Sequence, residues 1–211
     1  MRWNRHGMQE LQQYKIFIAS PSGLEVEREK LRDEVRFYST YDAEPEGLSF
    51  KVVGWEDIPP SFGNPQGVIN PYLCGCDFYI LLLHNRWGTP PGGGSRYSSG
   101  SEEEFNLAYT CLMDQKYPMQ EIALFCKPMD QNERRRKQGR RVIAFINKIK
   151  GNRNLYFREF SSIEEFHSCI RQCLAKWRLK LAGRMESVPT PTSVRDFFDD
   201  AELRETGEKI C

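Results

Sequence analysis

The segment Gly100-Ser101-Glu102-Glu103-Glu104-Phe105-Asn106-Leu107-Ala108 joins a helix start to three consecutive carboxylates. Ser101 and Glu104 have the spacing of a capping box, and Glu102 and Glu103 complement the positive end of a helix dipole. Glu104 also has a chemical reading. A carboxylate in the first turn of a helix, beside a crevice, can stabilise an oxocarbenium-like sugar centre or attack it, as cleavage of an N-glycosidic bond requires. Capping and catalysis compete for this side chain, and the residues alone leave both open.

Other arrangements carry less chemistry. Gly92-Gly93-Gly94 lacks both the GxGxxG spacing and the Lys-Ser/Thr ending of a phosphate loop, and reads as flexible loop. Cys74-x-Cys76 and His167-x-Cys169-x3-Cys173 have metal spacing only faintly, so structural thiols are expected and no metal. His84 follows a strand and is either an acid–base candidate or structural. The run Arg134-Arg135-Arg136-Lys137 with Arg140-Arg141 is dense enough to contact phosphates. It lacks interleaved aromatics, which favours a solvated helix face over a nucleic-acid platform.

These residues need elements to position them. Strands are expected at Tyr14 to Ala19, Ser49 to Trp55, Asp77 to Leu83 and Glu121 to Cys126, with an edge strand at Leu155 to Phe160. Helices are expected at Leu24 to Tyr38, opened by a Ser22–Glu25 capping box, at Pro65 to Cys74, at Ser101 to about Gln115, and at Ser162 to about Leu181. Asp42 to Leu48 reads as loop, and Val142 to Ile149 as the end of a helix after the basic run. The alternation predicts an α/β fold: a doubly wound, mostly parallel, flavodoxin-like sheet with helices on both faces. Ligands of such sheets bind outside the carboxyl ends of the strands. That edge collects Ser20, Pro21, Ser22, Trp55, Arg86, Trp87, Tyr97 and Ser101 as binding walls around Glu104. Arg28 falls on the apolar stripe of the first helix, where it either snorkels at the stripe's edge or pairs with an acid, for which Asp77 is expected. Both are read as structural.

Composition excludes several classes. With 30 Lys+Arg against 29 Asp+Glu, neither a basic nucleic-acid coat nor an acidic disordered chain is expected. The longest apolar run, Phe78 to Leu83, is far short of the ~20 residues of a membrane span. Met1 to Gln13 has no apolar core of a signal peptide. Seven cysteines lying mostly in periodic apolar segments suit buried thiols in a reducing cytosol. The expected organisation is a polar extension over 1–13, the α/β domain over 14–183, a Pro/Thr linker over 184–193, and over 194–211 an acidic helix or the start of a further domain.

The order of motifs resembles a Toll/interleukin-1-receptor-like (TIR-like) domain of the kind found at the N-termini of NACHT and related STAND NTPases and of bacterial defence proteins. The likeness rests on Lys15 to Leu24 with Glu27-Arg28, then Cys76-Asp77, Arg86-Trp87-Gly88 and Ser101 to Ala108, and spans about Tyr14 to Lys127. It implies a TIR-like version of the predicted sheet. Its fold group includes TIR NAD hydrolases and nucleoside deoxyribosyltransferases, both of which use a glutamate matching Glu104. The resemblance therefore implies cleavage of the nicotinamide N-glycosidic bond of NAD or a related nucleotide, with NAD as substrate and no separate cofactor. It also implies self-association and a C-terminal STAND NTPase or sensor module, in antiphage or innate-immune type signalling. Deoxyribosyltransferases carry an aspartate where this chain has Ser98, which speaks against base exchange. Many relatives act only as adaptors, so a non-enzymatic self-association module is the alternative, and nucleic-acid binding through 134–141 the third.

Overall fold

The computed structural model describes residues 11–59, 65–92, 94–150 and 155–183. Five parallel strands form one sheet in the order β2-β1-β3-β4-β5: β1 (Gln12–Ala19), β2 (Leu48–Val53), β3 (Phe78–Leu83), β4 (Glu121–Cys126) and β5 (Tyr156–Glu159). The six residues of β3 are all buried because helices cover both faces of the sheet. Phe78, Ile80 and Leu82 pack with α1 (Glu25–Tyr38) and α6 (Ile163–Leu181), where Trp177 stacks on Phe78 with ring centroids 4.1 Å apart. Tyr79, Leu81 and Leu83 pack against α2 (Pro65–Cys74), α3 (Gly100–Met113) and α5 (Lys137–Lys150). This is the expected doubly wound α/β fold.

Several boundaries differ from the sequence reading, each for a local reason. Gln12 and Gln13 belong to β1, paired with Leu48 and Ser49, so the polar extension ends before them. The Ser22–Glu25 capping box does not form. Leu24 occupies the N-cap, and the Glu25 carboxylate instead accepts the Gly23 N–H at 2.8 Å. Beyond α1 the chain stays helical, through a π turn at Ser39–Ala43 and a 3-10 turn at Glu44–Glu46, where a loop is expected. β2 stops at Val53 because Gly54 leads into a 3-10 turn, Trp55–Asp57, in which the Asp57 carboxylate accepts the Gly54 N–H at 2.8 Å. A Cβ on Gly54 would lie 2.4 Å from Glu56 Oε2 and 2.5 Å from Arg32 Nη2, so a larger residue here would push on the far ends of the two side chains that fasten the turn. The basic run forms α4 (Gln131–Arg135) and the start of α5, with Arg136 extended between them. The expected linker and acidic helix lie outside the described residues.

Candidate functional site

In a sheet of order 2-1-3-4-5 the loops after β1 and β3 run to opposite sides, which leaves a crevice between them. A cavity of about 310 Å³ occupies that crevice. Its walls come from the end of β1 and its loop (Ser20, Pro21, Ser22), from Trp55 after β2, from Gly88 and Thr89 after β3, and from Gly100, Ser101 and Glu104 of α3. Six residues expected at the site thus meet in one hollow: Ser20, Pro21, Ser22, Trp55, Ser101 and Glu104. Trp55 is 60% exposed, unusual for its size, and offers an aromatic face at the rim. Gly88 turns the chain at φ 96°, a conformation that side-chain-bearing residues rarely adopt. A larger hollow, about 430 Å³, lies between α1 and the β2 edge, away from Glu104 and the strand ends.

Arg28 braces two of the cavity walls. It is buried, and its guanidinium grips the Glu56 carboxylate, with Nη2–Oε2 at 2.6 Å and Nε–Oε1 at 2.9 Å. Its Nη1 also donates to the Ser20 hydroxyl at 3.1 Å and the Ile18 carbonyl at 3.4 Å. Arg32 adds bonds to Glu56 (3.1 Å) and Asp57 (2.7 Å). The Trp55–Asp57 turn is thereby fastened to α1 and β1. Glu56, not Asp77, is the partner of Arg28. Asp77 precedes β3 and so lies at the amino edge of the sheet, where its carboxylate accepts the Lys15 N–H at 2.7 Å. Arg28 follows β1 and lies at the carboxyl edge. Since Ser20 and Ser22 accept from Arg28 and Arg86 at 3.1 Å each, their own hydroxyl hydrogens can point to other acceptors.

The cap of α3 corrects the expectation for Ser101 and Glu104. Ser99 is the N-cap, accepting the Glu102 N–H at 3.1 Å, and Ser101 lies within the helix. Glu102, 3% exposed, accepts both the Ser98 N–H (2.6 Å) and the Ser98 hydroxyl (2.7 Å). Ser98 Oγ in turn accepts the indole N–H of Trp87 at 2.7 Å. Glu104 stands one turn beyond the cap and lines the cavity, so its side chain is not part of the α3 cap. Trp87 is 1% exposed and packs on Phe145 in the core, so it positions the loop and does not form a wall. An aspartate at position 98 would set a second carboxylate against Glu102 in place of a donor. Ser98→Ala leaves a buried indole N–H and a buried carboxylate each short of a partner. The expected cost is about 1–3 kcal/mol, read as a melting temperature lower by roughly 3–8 °C.

None of the remaining expected residues lines the cavity. Arg86 is exposed, with Nη1 on the Ser22 hydroxyl at the rim. The Tyr97 hydroxyl accepts from Arg96 at 3.1 Å, and Tyr97 does not line the cavity. His84 Nδ1 lies 3.2 Å from the Lys127 carbonyl and its Nε2 3.6 Å from Glu133. Arg134, Arg135, Arg136, Lys137 and Arg140 are exposed. Sequence reasoning missed Tyr79, which stacks on Phe17 beside the cavity floor. Its hydroxyl is buried without a hydrogen-bond partner among the described residues. Burial pushes that phenol well above its ordinary pKa, and the Glu104 charge adds to the effect. Among the described residues no group of three His, Cys, Asp or Glu side chains could hold a metal ion, and no helix is long and apolar enough to cross a membrane.

Residues 15–175 match the family DUF4062, a domain of unknown function. The chain belongs to the DUF4062 family. No curated protein matches this DUF4062 domain. Solved structures similar to it include translation elongation factor SelB of Methanococcus maripaludis, 10% identical with a TM-score of 0.37, covering 87% of this chain and 38% of that one. The PilB minor pilin of Streptococcus sanguinis is 10% identical with a TM-score of 0.42, covering 82% and 62%. General stress protein 14 of Treponema denticola, solved with FMN, is 12% identical with a TM-score of 0.37, covering 80% and 99%. The DUF4062 chain spans less than two thirds of the first two structures. Likeness at this level says nothing of what the domain binds.

Proposed function

We propose that this domain is TIR-like and hydrolyses the nicotinamide N-glycosidic bond of NAD or a related nucleotide, with Glu104 as the catalytic carboxylate. The observation that carries the reading is the convergence of Glu104, the Ser20 and Ser22 hydroxyls and the open face of Trp55 on one cavity at the sheet's switch point. Trp55 stacks on the planar base, and the hydroxyls donate to ribose or phosphate oxygens. The C1′–N bond breaks with its electron pair leaving on neutral nicotinamide, so the leaving group needs no proton. The Glu104 carboxylate faces the positive charge that develops on the ribose. Water then adds at C1′ and releases one proton, giving ADP-ribose. A cytoplasmic setting, and antiphage or innate-immune type signalling through a STAND NTPase or sensor module, belong to the same proposal.

Self-association without catalysis is the second reading. It is favoured by Phe37, at the far end of α1 from the cavity, and Tyr41 in the π turn that follows, 48% and 66% exposed with ring centroids 4.6 Å apart. Clustering also enters the first reading, since TIR-like relatives assemble their sites across protomers. The test is release of free nicotinamide from NAD by the chain fused to an oligomeric scaffold and by the dilute monomer. Turnover is expected to rise steeply on clustering. A clustered chain that neither binds nor cleaves NAD overturns the enzymatic reading in favour of the adaptor. Full turnover by a dilute monomer contradicts the need for clustering.

A further inference from the structure

We propose that Cys74 and Cys111 form a reversible dithiol–disulfide couple, closed by a low-molecular-weight disulfide such as oxidised glutathione. Cys74 is the last residue of α2 and Cys111 lies near the C-terminal end of α3, and these two helices pack on the same face of the sheet. The Cys111 thiol donates to the Cys74 sulfur with the two sulfurs 3.1 Å apart. A disulfide needs about 2.05 Å, so the sulfurs have to close by only about 1 Å, which side-chain rotation can supply. Among the described residues no other pair of cysteine sulfurs is hydrogen-bonded. Cys76 donates to the Tyr72 carbonyl at 3.2 Å, and Cys126 points to the Lys127 carbonyl.

Exposure sets the order of events. Cys74 is half-buried and Cys111 buried, so the oxidant meets Cys74 first. Burial, the hydrogen bond to Cys74 and the neighbouring charges hold the Cys111 thiol well above its ordinary pKa, so Cys111 stays protonated while Cys74 meets the oxidant. The Cys74 thiolate attacks one sulfur of oxidised glutathione; the S–S bond breaks and one glutathione thiolate leaves and takes up a proton. Cys111 then loses its proton, attacks the Cys74 sulfur and expels the second glutathione. Two protein thiols and one glutathione disulfide become one protein disulfide and two glutathione thiols, the protein giving up two electrons and two protons. The bridge ties α2 to the helix that carries Glu104 and closes a loop containing the Gly-rich segment after β3.

The test treats the full chain, natively folded, with oxidised glutathione, then blocks free thiols and maps the peptides by mass. The expected product is a linked Cys74–Cys111 peptide pair 2 Da lighter than the reduced pair and reopened by dithiothreitol. The oxidised protein is expected to melt higher by roughly 5 °C or more. In Cys74→Ser, Cys111 is expected to stay unmodified. A glutathione adduct that persists on Cys74 without closure, or both thiols still alkylated after oxidation, overturns the proposal. So does modification of Cys111 in the Cys74→Ser protein at the wild-type rate.

Discussion

Arg28→Ala is expected to lower the melting temperature by roughly 5–10 °C, for a loss of about 2–3 kcal/mol. The substitution removes a buried guanidinium with four anchors: both Glu56 oxygens, the Ser20 hydroxyl and the Ile18 carbonyl. The loss stays below that of a fully enclosed pair because the Glu56 side chain is 38% exposed and water can take over part of its solvation. The same change frees two walls of the cavity, so ligand affinity falls with stability. Acid reproduces part of the effect. Burial works against the Glu56 charge, but the Arg28 hydrogen bond, its own backbone N–H and the Arg28 and Arg32 charges outweigh it and hold the carboxyl below its ordinary value. Asp57 is held down likewise against its own burial, chiefly by Arg32 and the Gly54 N–H. A lowered folded-state pKa stabilises above the unfolded value, about 4, and the contribution is lost as pH falls through the folded one. The gap in melting temperature between wild type and Arg28→Ala is therefore expected to narrow below about pH 4. A gap that stays constant from pH 7 to pH 3, or no gap at all, contradicts this account of Arg28.

The fold was legible because its signals are coarse and strong. An all-apolar β3 between helical stretches implies a sheet covered on both faces, and the alternation of elements implies parallel crossovers. Boundaries were less legible, because they depend on single contacts. The Ser22 hydroxyl points toward Arg86, and nothing in the local spacing of Ser22 and Glu25 records that.

At the site, strand-end logic places Glu104, Trp55 and the Ser20 to Ser22 loop at one edge of the sheet, and the Gly100 to Ala108 segment singles out Glu104 there. A pairing of Arg28 with Asp77 fails on the same logic. A residue just before a parallel strand lies at the amino edge, whereas Arg28, just after one, lies at the carboxyl edge with Glu56. Trp87 was harder. An aromatic residue after a strand serves a site wall or the core equally well, and only its indole bond to Ser98 decides for the core. The cap of α3 was ambiguous because Ser99 and Ser101 precede Glu102 and Glu104 by the same three residues. The burial of Glu102 resolves it, and burial is a property of packing, not of spacing.

Glu104→Gln separates the functional readings. Glutamine keeps the shape of the side chain and its capacity to accept a hydrogen bond, and removes the charge that, in the proposed reaction, faces the ribose in the transition state. Ser99, not Glu104, caps α3, and glutamine can still accept a hydrogen bond, so the stability change is expected to be about 1 kcal/mol or less. NAD should still bind, since Trp55 and the serine hydroxyls are intact, while turnover should fall at least about a hundredfold. The decisive measurement is nicotinamide release from NAD by scaffold-clustered wild type and Glu104→Gln side by side, with melting curves to show that both are folded. The account predicts release by the wild type and near-complete loss in an equally stable variant. Equal release by the two proteins would contradict it.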